Sequence, residues 1–85
     1  MAKVEIYTWK TCPFCLRAKQ LFNSKNIDYT EYRINGDEQA KAEMLKRSSD
    51  GKSSVPQIFI NDVHIGGSDA LVKLEKSGEL DALLA

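Results

Sequence analysis

Absences narrow the reading of this 85-residue sequence before any motif does. No apolar run approaches the roughly 20 residues that span a bilayer, so no membrane segment is expected. Surplus charge of either sign is also missing, because 12 basic residues balance 12 acidic ones. Binding to nucleic acid or to an anionic lipid surface needs a clear excess of Lys and Arg, so neither partner is expected. Met1-Ala2-Lys3-Val4-Glu5 lacks the basic stretch, apolar core and cleavage site of a secretory leader, and the chain reads as cytoplasmic. A chain this short buries about 60% of its unfolded surface, enough for one sheet with a few covering helices. Residues 1–85 are therefore read as a single domain, and a monomer is expected.

Metal-ligating side chains are scarce as well, with two cysteines and one histidine in the whole chain. A structural zinc centre wants four ligands, and one C-x-x-C pair with His64 does not supply them, so no metal site is expected. Leu16 rather than His follows Cys15, which excludes the c-type haem attachment signature. A stapling disulfide stabilises most when it closes a long loop, whereas Cys12 and Cys15 are three positions apart. Chemistry explains the pair better than stapling does.

What is present has an α/β pattern. Val4-Glu5-Ile6-Tyr7-Thr8 alternates as a strand with one more apolar face. Thr11-Cys12-Pro13 interrupts it, and proline at a first helical position predicts a helix from Pro13 to about Asn26. Phe14, Cys15, Ala18, Leu21 and Phe22 form its apolar stripe. Residues 29–34 are a second strand, and the intervening length suits a helical crossover between parallel strands. A second helix runs to about Arg47, packing through Ala40, Met44 and Leu45, with acids near its start and bases near its end. Residues 48–54 are a polar loop. Two short strands, 57–60 and 63–65, flank Asn61-Asp62, residue types that accept the positive φ of a two-residue hairpin turn. Ser68 or Asp69 is expected to cap a third helix that Gly78 ends, and residues 80–84 form a short terminal helix. The order is β-α-β-α-β-β-α with a small C-terminal addition, a four-stranded mixed sheet flanked by helices.

The two sulfurs are not equivalent in this arrangement. Cys12 caps the helix, where unpaired amides and the positive end of the dipole favour thiolate over thiol, whereas Cys15 belongs to the packed stripe. Cys12 is the expected nucleophile, with Lys10 adding positive charge nearby.

Four segments in order, residues 4–8, Thr11-Cys12-Pro13-Phe14-Cys15, residues 54–60 and His64-Ile65-Gly66-Gly67-Ser68-Asp69, resemble a small bacterial dithiol glutaredoxin over nearly the whole chain. The resemblance implies a thioredoxin-like fold and a glutathione-dependent thiol-disulfide oxidoreductase acting on protein disulfides and glutathione mixed disulfides. It implies catalytic Cys12 and Cys15, and a glutathione site drawn from Lys10, Phe14, Val55, Pro56, Gly67, Ser68 and Asp69. It also implies a cis peptide at Val55-Pro56, which the dipeptide alone leaves open against an ordinary strand-entry proline. Gly66-Gly67-Ser68-Asp69 reads either as a close-approach loop holding the γ-glutamyl end or as a bare turn with a helix cap. Trp9 stands where the family often has a basic residue, with Lys10 as the substitute one step later. Phe14 replaces a common tyrosine, Ser54 a usual threonine, and Ser68 an occasional third cysteine. Arg47 or Lys52 is a candidate for the glycyl carboxylate. Two rival readings are a redoxin reduced by thioredoxin reductase and a glutathione-ligated iron-sulfur module, the latter disfavoured by Pro13. His64 is expected to pack or face solvent, Trp9 to be either a platform or a core-edge residue, and Tyr7, Tyr29 and Tyr32 to be ordinary strand residues.

Overall fold

The computed structural model describes residues 2–48, 51 and 54–85. Among these, the order is β1 (Val4–Thr8), α1 (Pro13–Ser24), β2 (Thr30–Arg33), α2 (Glu38–Arg47), β3 (Gln57–Ile60), β4 (Val63–Gly66), α3 (Ser68–Ser77) and α4 (Glu79–Leu84). The strands lie in the order β2-β1-β3-β4. β1 and β2 are parallel, joined through α1, while β1–β3 and β3–β4 are antiparallel. No helix among the described residues is long and apolar enough to cross a membrane.

Strand alternation sends side chains to two separate cores. Val4 and Ile6 of β1 and Ile58 and Ile60 of β3 meet Ala18 and Phe22 of α1, Leu71 of α3, and Leu80 and Leu84 of α4. Full burial of Phe22 or an isoleucine contributes about 1.5–3 kcal/mol each, so this face supplies most of the cohesion. The opposite face carries a smaller cluster, Tyr7, Ile34, Met44 and Phe59, under α2. Both faces of β1 are therefore buried, Glu5 and Thr8 included, where the sequence suggested only one clearly apolar side.

The second core is small because α2 contributes little to it. Met44 is buried and Ala40 partly so, whereas Leu45, expected to pack, faces solvent. Asp37 caps this helix by accepting from the Ala40 amide at 3.0 Å. The hairpin matches its expectation, with positive φ at both Asn61 (52°) and Asp62 (66°). The expected cap of α3 does not form through a side chain. Gly67 occupies the N-cap, and Ser68 and Asp69 enter the helix as its first two residues. Gly78, left-handed at φ 80°, ends α3 and starts α4.

Candidate active site

The site begins where β1 ends. Cys12 is the extended N-cap of α1, and its Sγ accepts from the Cys15 amide at 3.2 Å. Pro13, next in sequence, has no amide to leave unpaired in that first turn. The Cys12 sulfur is half-buried and faces the Val55 carbonyl at 3.9 Å. Cys15 has the opposite environment. Its side chain is 1% exposed, packed with the helix's inner face. Burial, reinforced by the hydrogen-bonded Cys12, pushes the Cys15 thiol up to about 12.

Val55-Pro56 is a cis peptide, as the family resemblance implied. The loop before β3 lies against the start of α1 at this point. Phe14, Ser54, Val55, Pro56, Gly67, Ser68 and Asp69 line one cavity of about 340 Å³ together with Gln57 and Ala70. That volume lies at the lower end of the ~300–1,000 Å³ typical of small-molecule sites. The N-terminus of α3 opens onto it, with Asp69 in the first turn. A Cβ on Gly67 would lie 3.5 Å from the Pro56 carbonyl, an ordinary van der Waals contact. Phe14, expected in the apolar stripe, is instead 52% exposed at the rim, with the Arg17 guanidinium 5.7 Å from its ring centroid.

Lys10 is placed differently from the other expected glutathione contacts. It lines a second cavity of about 360 Å³ with Trp9, Cys12, Cys15, Leu16 and Lys19. Trp9 is a half-exposed wall of that cavity and lies outside both cores. Arg47 is a correction. Its guanidinium donates to both Glu5 oxygens, at 2.7 and 3.1 Å, and to the Tyr7 hydroxyl at 2.9 Å, beneath α2. A buried carboxylate requires a charge partner, and Glu5 takes the one that the sequence had assigned to a ligand. Lys52, the other candidate, lies outside the described residues. His64 stacks on Phe59 and reaches Gln57 Oε1 at 2.5 Å, a packing role.

The sequence reading missed Lys19, Glu31 and Thr8. Lys19 Nζ and Thr8 Oγ1 both donate to Glu31 Oε2, at 3.0 and 2.7 Å. The Cys15-to-Lys19 spacing of four on one helix was the available signal.

A cysteine pair at a helix N-terminus, beside a cis-proline and a cavity fed by a second helix N-terminus, is accompanied by a direct family match. The glutaredoxin family model matches residues 4–65. This chain belongs to the glutaredoxin family. It is 52% identical over 84 residues to glutaredoxin 3 of Escherichia coli, covering 99% of each chain. A probable glutaredoxin of Synechocystis is 56% identical over 84 residues, 99% of this chain and 76% of that one. The solved buckwheat glutaredoxin-glutathione complex superposes with a TM-score of 0.86 at 26% identity, over 98% of this chain and 76% of that one. The fold is thioredoxin-like, the chain is a glutathione-dependent thiol-disulfide oxidoreductase, and glutathione is its co-substrate.

Proposed function

We propose that this glutaredoxin reduces protein disulfides and glutathione mixed disulfides through a Cys12/Cys15 dithiol, with residues 1–85 acting as one domain and as a monomer. The observation that carries this reading is the contrast between the sulfurs. Cys12 is half-buried and receives an amide hydrogen at 3.2 Å, an arrangement suited to a sulfur bearing negative charge. Cys15, 1% exposed, is held as a thiol by its burial.

In the first step the Cys12 sulfur attacks a disulfide sulfur, forming a mixed disulfide and expelling a thiolate that takes a proton. When the substrate is glutathionylated, the attacked sulfur is that of glutathione, and the protein thiol leaves. A second glutathione then attacks the mixed disulfide, returning Cys12 and releasing oxidised glutathione. When the substrate is a protein disulfide, Cys15 attacks the Cys12 sulfur instead, giving the Cys12–Cys15 disulfide that two glutathiones reduce.

Glutathione is placed in the 340 Å³ cavity. Its cysteinyl backbone pairs with Val55 beside cis-Pro56, while Phe14 forms an apolar wall. The α-carboxylate of its γ-glutamyl end meets the amides at Gly67 and Ser68, and its ammonium meets Asp69. Lys10, on the other side of Cys12, adds positive charge along the approach of an anionic tripeptide. The compartment proposed is the cytoplasm, where a glutathione pool regenerates the dithiol.

The test is NADPH oxidation during reduction of a glutathionylated substrate. Glutathione with glutathione reductase should support turnover, whereas thioredoxin reductase alone should not. Turnover driven by thioredoxin reductase would assign the chain to the rival reductant.

A further inference from the structure

The resolving step asks Cys15 to attack as an anion from a site that opposes one. Burial and the adjacent Cys12 push its thiol up to about 12. Some group must offset that opposition when the negative charge develops.

Lys19 is placed to do so. It lies one helical turn beyond Cys15 on α1, a spacing that puts the two Cβ atoms about 5–6 Å apart on the same face. Both residues line the 360 Å³ cavity that also reaches Cys12. The lysine side chain is only 19% exposed, and Glu31 Oε2 of β2 holds its ammonium at 3.0 Å. The same oxygen accepts from the buried Thr8 hydroxyl at 2.7 Å, and Arg33 Nε lies 3.6 Å from it. Burial acts to raise the Glu31 carboxyl, but hydrogen bonds from Thr8 and Lys19 outweigh it and hold the group below the ordinary carboxylate range. Glu31 therefore stays anionic and fixes the ammonium in place. Lys19 of α1 and Lys10 of the β1–α1 loop share the cavity with Cys15, while Glu31 and Arg33 of β2 lie behind Lys19, Glu31 paired with its ammonium and Arg33 with Glu31.

We propose that Lys19 is a positioning residue for the resolving step: its ammonium, anchored by a Glu31 carboxylate that Thr8 also holds, stabilises the negative charge that Cys15 takes on when it loses its proton, before it attacks the Cys12 sulfur. The inference rests on the dithiol reading above. In the step concerned, the Cys15–Cys12 bond forms and the bond from Cys12 to the glutathionyl sulfur breaks. The Cys15 sulfur is oxidised, the glutathionyl sulfur is reduced, and the proton lost from Cys15 is matched by the one taken up by the departing glutathione.

The experiment mixes reduced protein with excess oxidised glutathione, quenches with acid, and resolves glutathionylated protein from the intramolecular disulfide by mass. Lys19→Gln should lower the ratio of second-step to first-step rates by about threefold to tenfold. The lower bound allows for the gain in intrinsic nucleophilicity that offsets part of a lost thiolate fraction. Lys19→Arg should restore most of the ratio. Glu31→Gln removes the negative charge that offsets the ammonium yet keeps a side-chain oxygen able to accept from both Lys19 and Thr8, so the lysine stays in place with its charge less neutralised and the ratio should rise. A merely structural ion pair would make both substitutions lower it, and that result would overturn the proposal, as would an unchanged ratio in Lys19→Gln. If Lys19→Gln does not fold, Glu31→Gln decides alone, supporting the proposal by a raised ratio and overturning it by a lowered or equal one. Glutathionylated wild-type protein that never closes to the disulfide would overturn the dithiol reading and this inference together, a pattern distinct from failure of Lys19 alone.

Discussion

The amide of Cys15 donates to the Cys12 sulfur at 3.2 Å, while the Cys15 side chain itself is buried. One residue thus supports its partner through its backbone and withholds its own side chain. Burial pushes the Cys15 thiol up to about 12, so it stays protonated at neutral pH. Iodoacetamide should therefore modify Cys12 of the reduced native protein and leave Cys15 intact, with both modified in denaturant. Peptide mapping after limited alkylation reads the difference, and equal labelling of the native pair would contradict it.

Stability should depend on the ion pair beneath α2. The Arg47 guanidinium lies 4.1 Å from the Phe59 ring centroid while binding Glu5, so its removal strips a cation from both an aromatic face and a buried carboxylate. Arg47→Ala should cost about 3 kcal/mol in urea unfolding, in the range for breaking a buried pair. Arg47→Met combined with Glu5→Gln should recover part of that loss, because no uncompensated charge is left behind.

The same pair sets a pH dependence. The hydrogen bond from Arg47 holds the Glu5 carboxyl below its ordinary range, against burial and with help from Tyr32. A group depressed in the folded state contributes stability that is fully present above its unfolded pKa, about 4.3, and is lost as pH falls through the folded value. The acid limb of a Tm-against-pH curve should be shallower in Glu5→Gln than in wild type. Parallel acid limbs would remove Glu5 from the account.

Much of this was legible in the sequence, and the exceptions share a cause. The strand-helix register around Pro13, the Asn61-Asp62 turn and the Gly78 stop follow from local backbone chemistry that a few adjacent residues determine. The cis peptide at Val55-Pro56 came from family resemblance, since most X-Pro bonds are trans. Arg47 and Lys19 were misplaced or missed because their partners are fixed by packing between elements. Glu31 reaches Lys19 only once β2 pairs with β1 in the register that sets it opposite Ile6. Glu5 needs Arg47 only once α2 covers its face of the sheet. Ser68 read as a cap because its residue type suits one, yet Gly67 takes that position.

The cavity gives a prediction that separates binding from folding. Gly67 has φ −91°, which any residue adopts, and an added Cβ would make an ordinary contact with the Pro56 carbonyl. Gly67→Leu should fold with a Tm near that of wild type. Its side chain should nevertheless narrow the cavity and raise KM for glutathione about tenfold, equivalent to ~1.4 kcal/mol of binding. An unchanged KM would place glutathione elsewhere.

The most direct test of the division of labour between the sulfurs is turnover of a glutathionylated peptide with glutathione, glutathione reductase and NADPH, in wild type and two variants. Cys12→Ser should reduce the rate to background, because no other sulfur occupies the helix N-cap. Cys15→Ser should keep a rate of the same order as wild type, since glutathione itself can resolve the Cys12 mixed disulfide. Comparable loss in both variants, or turnover surviving in Cys12→Ser, would contradict the account.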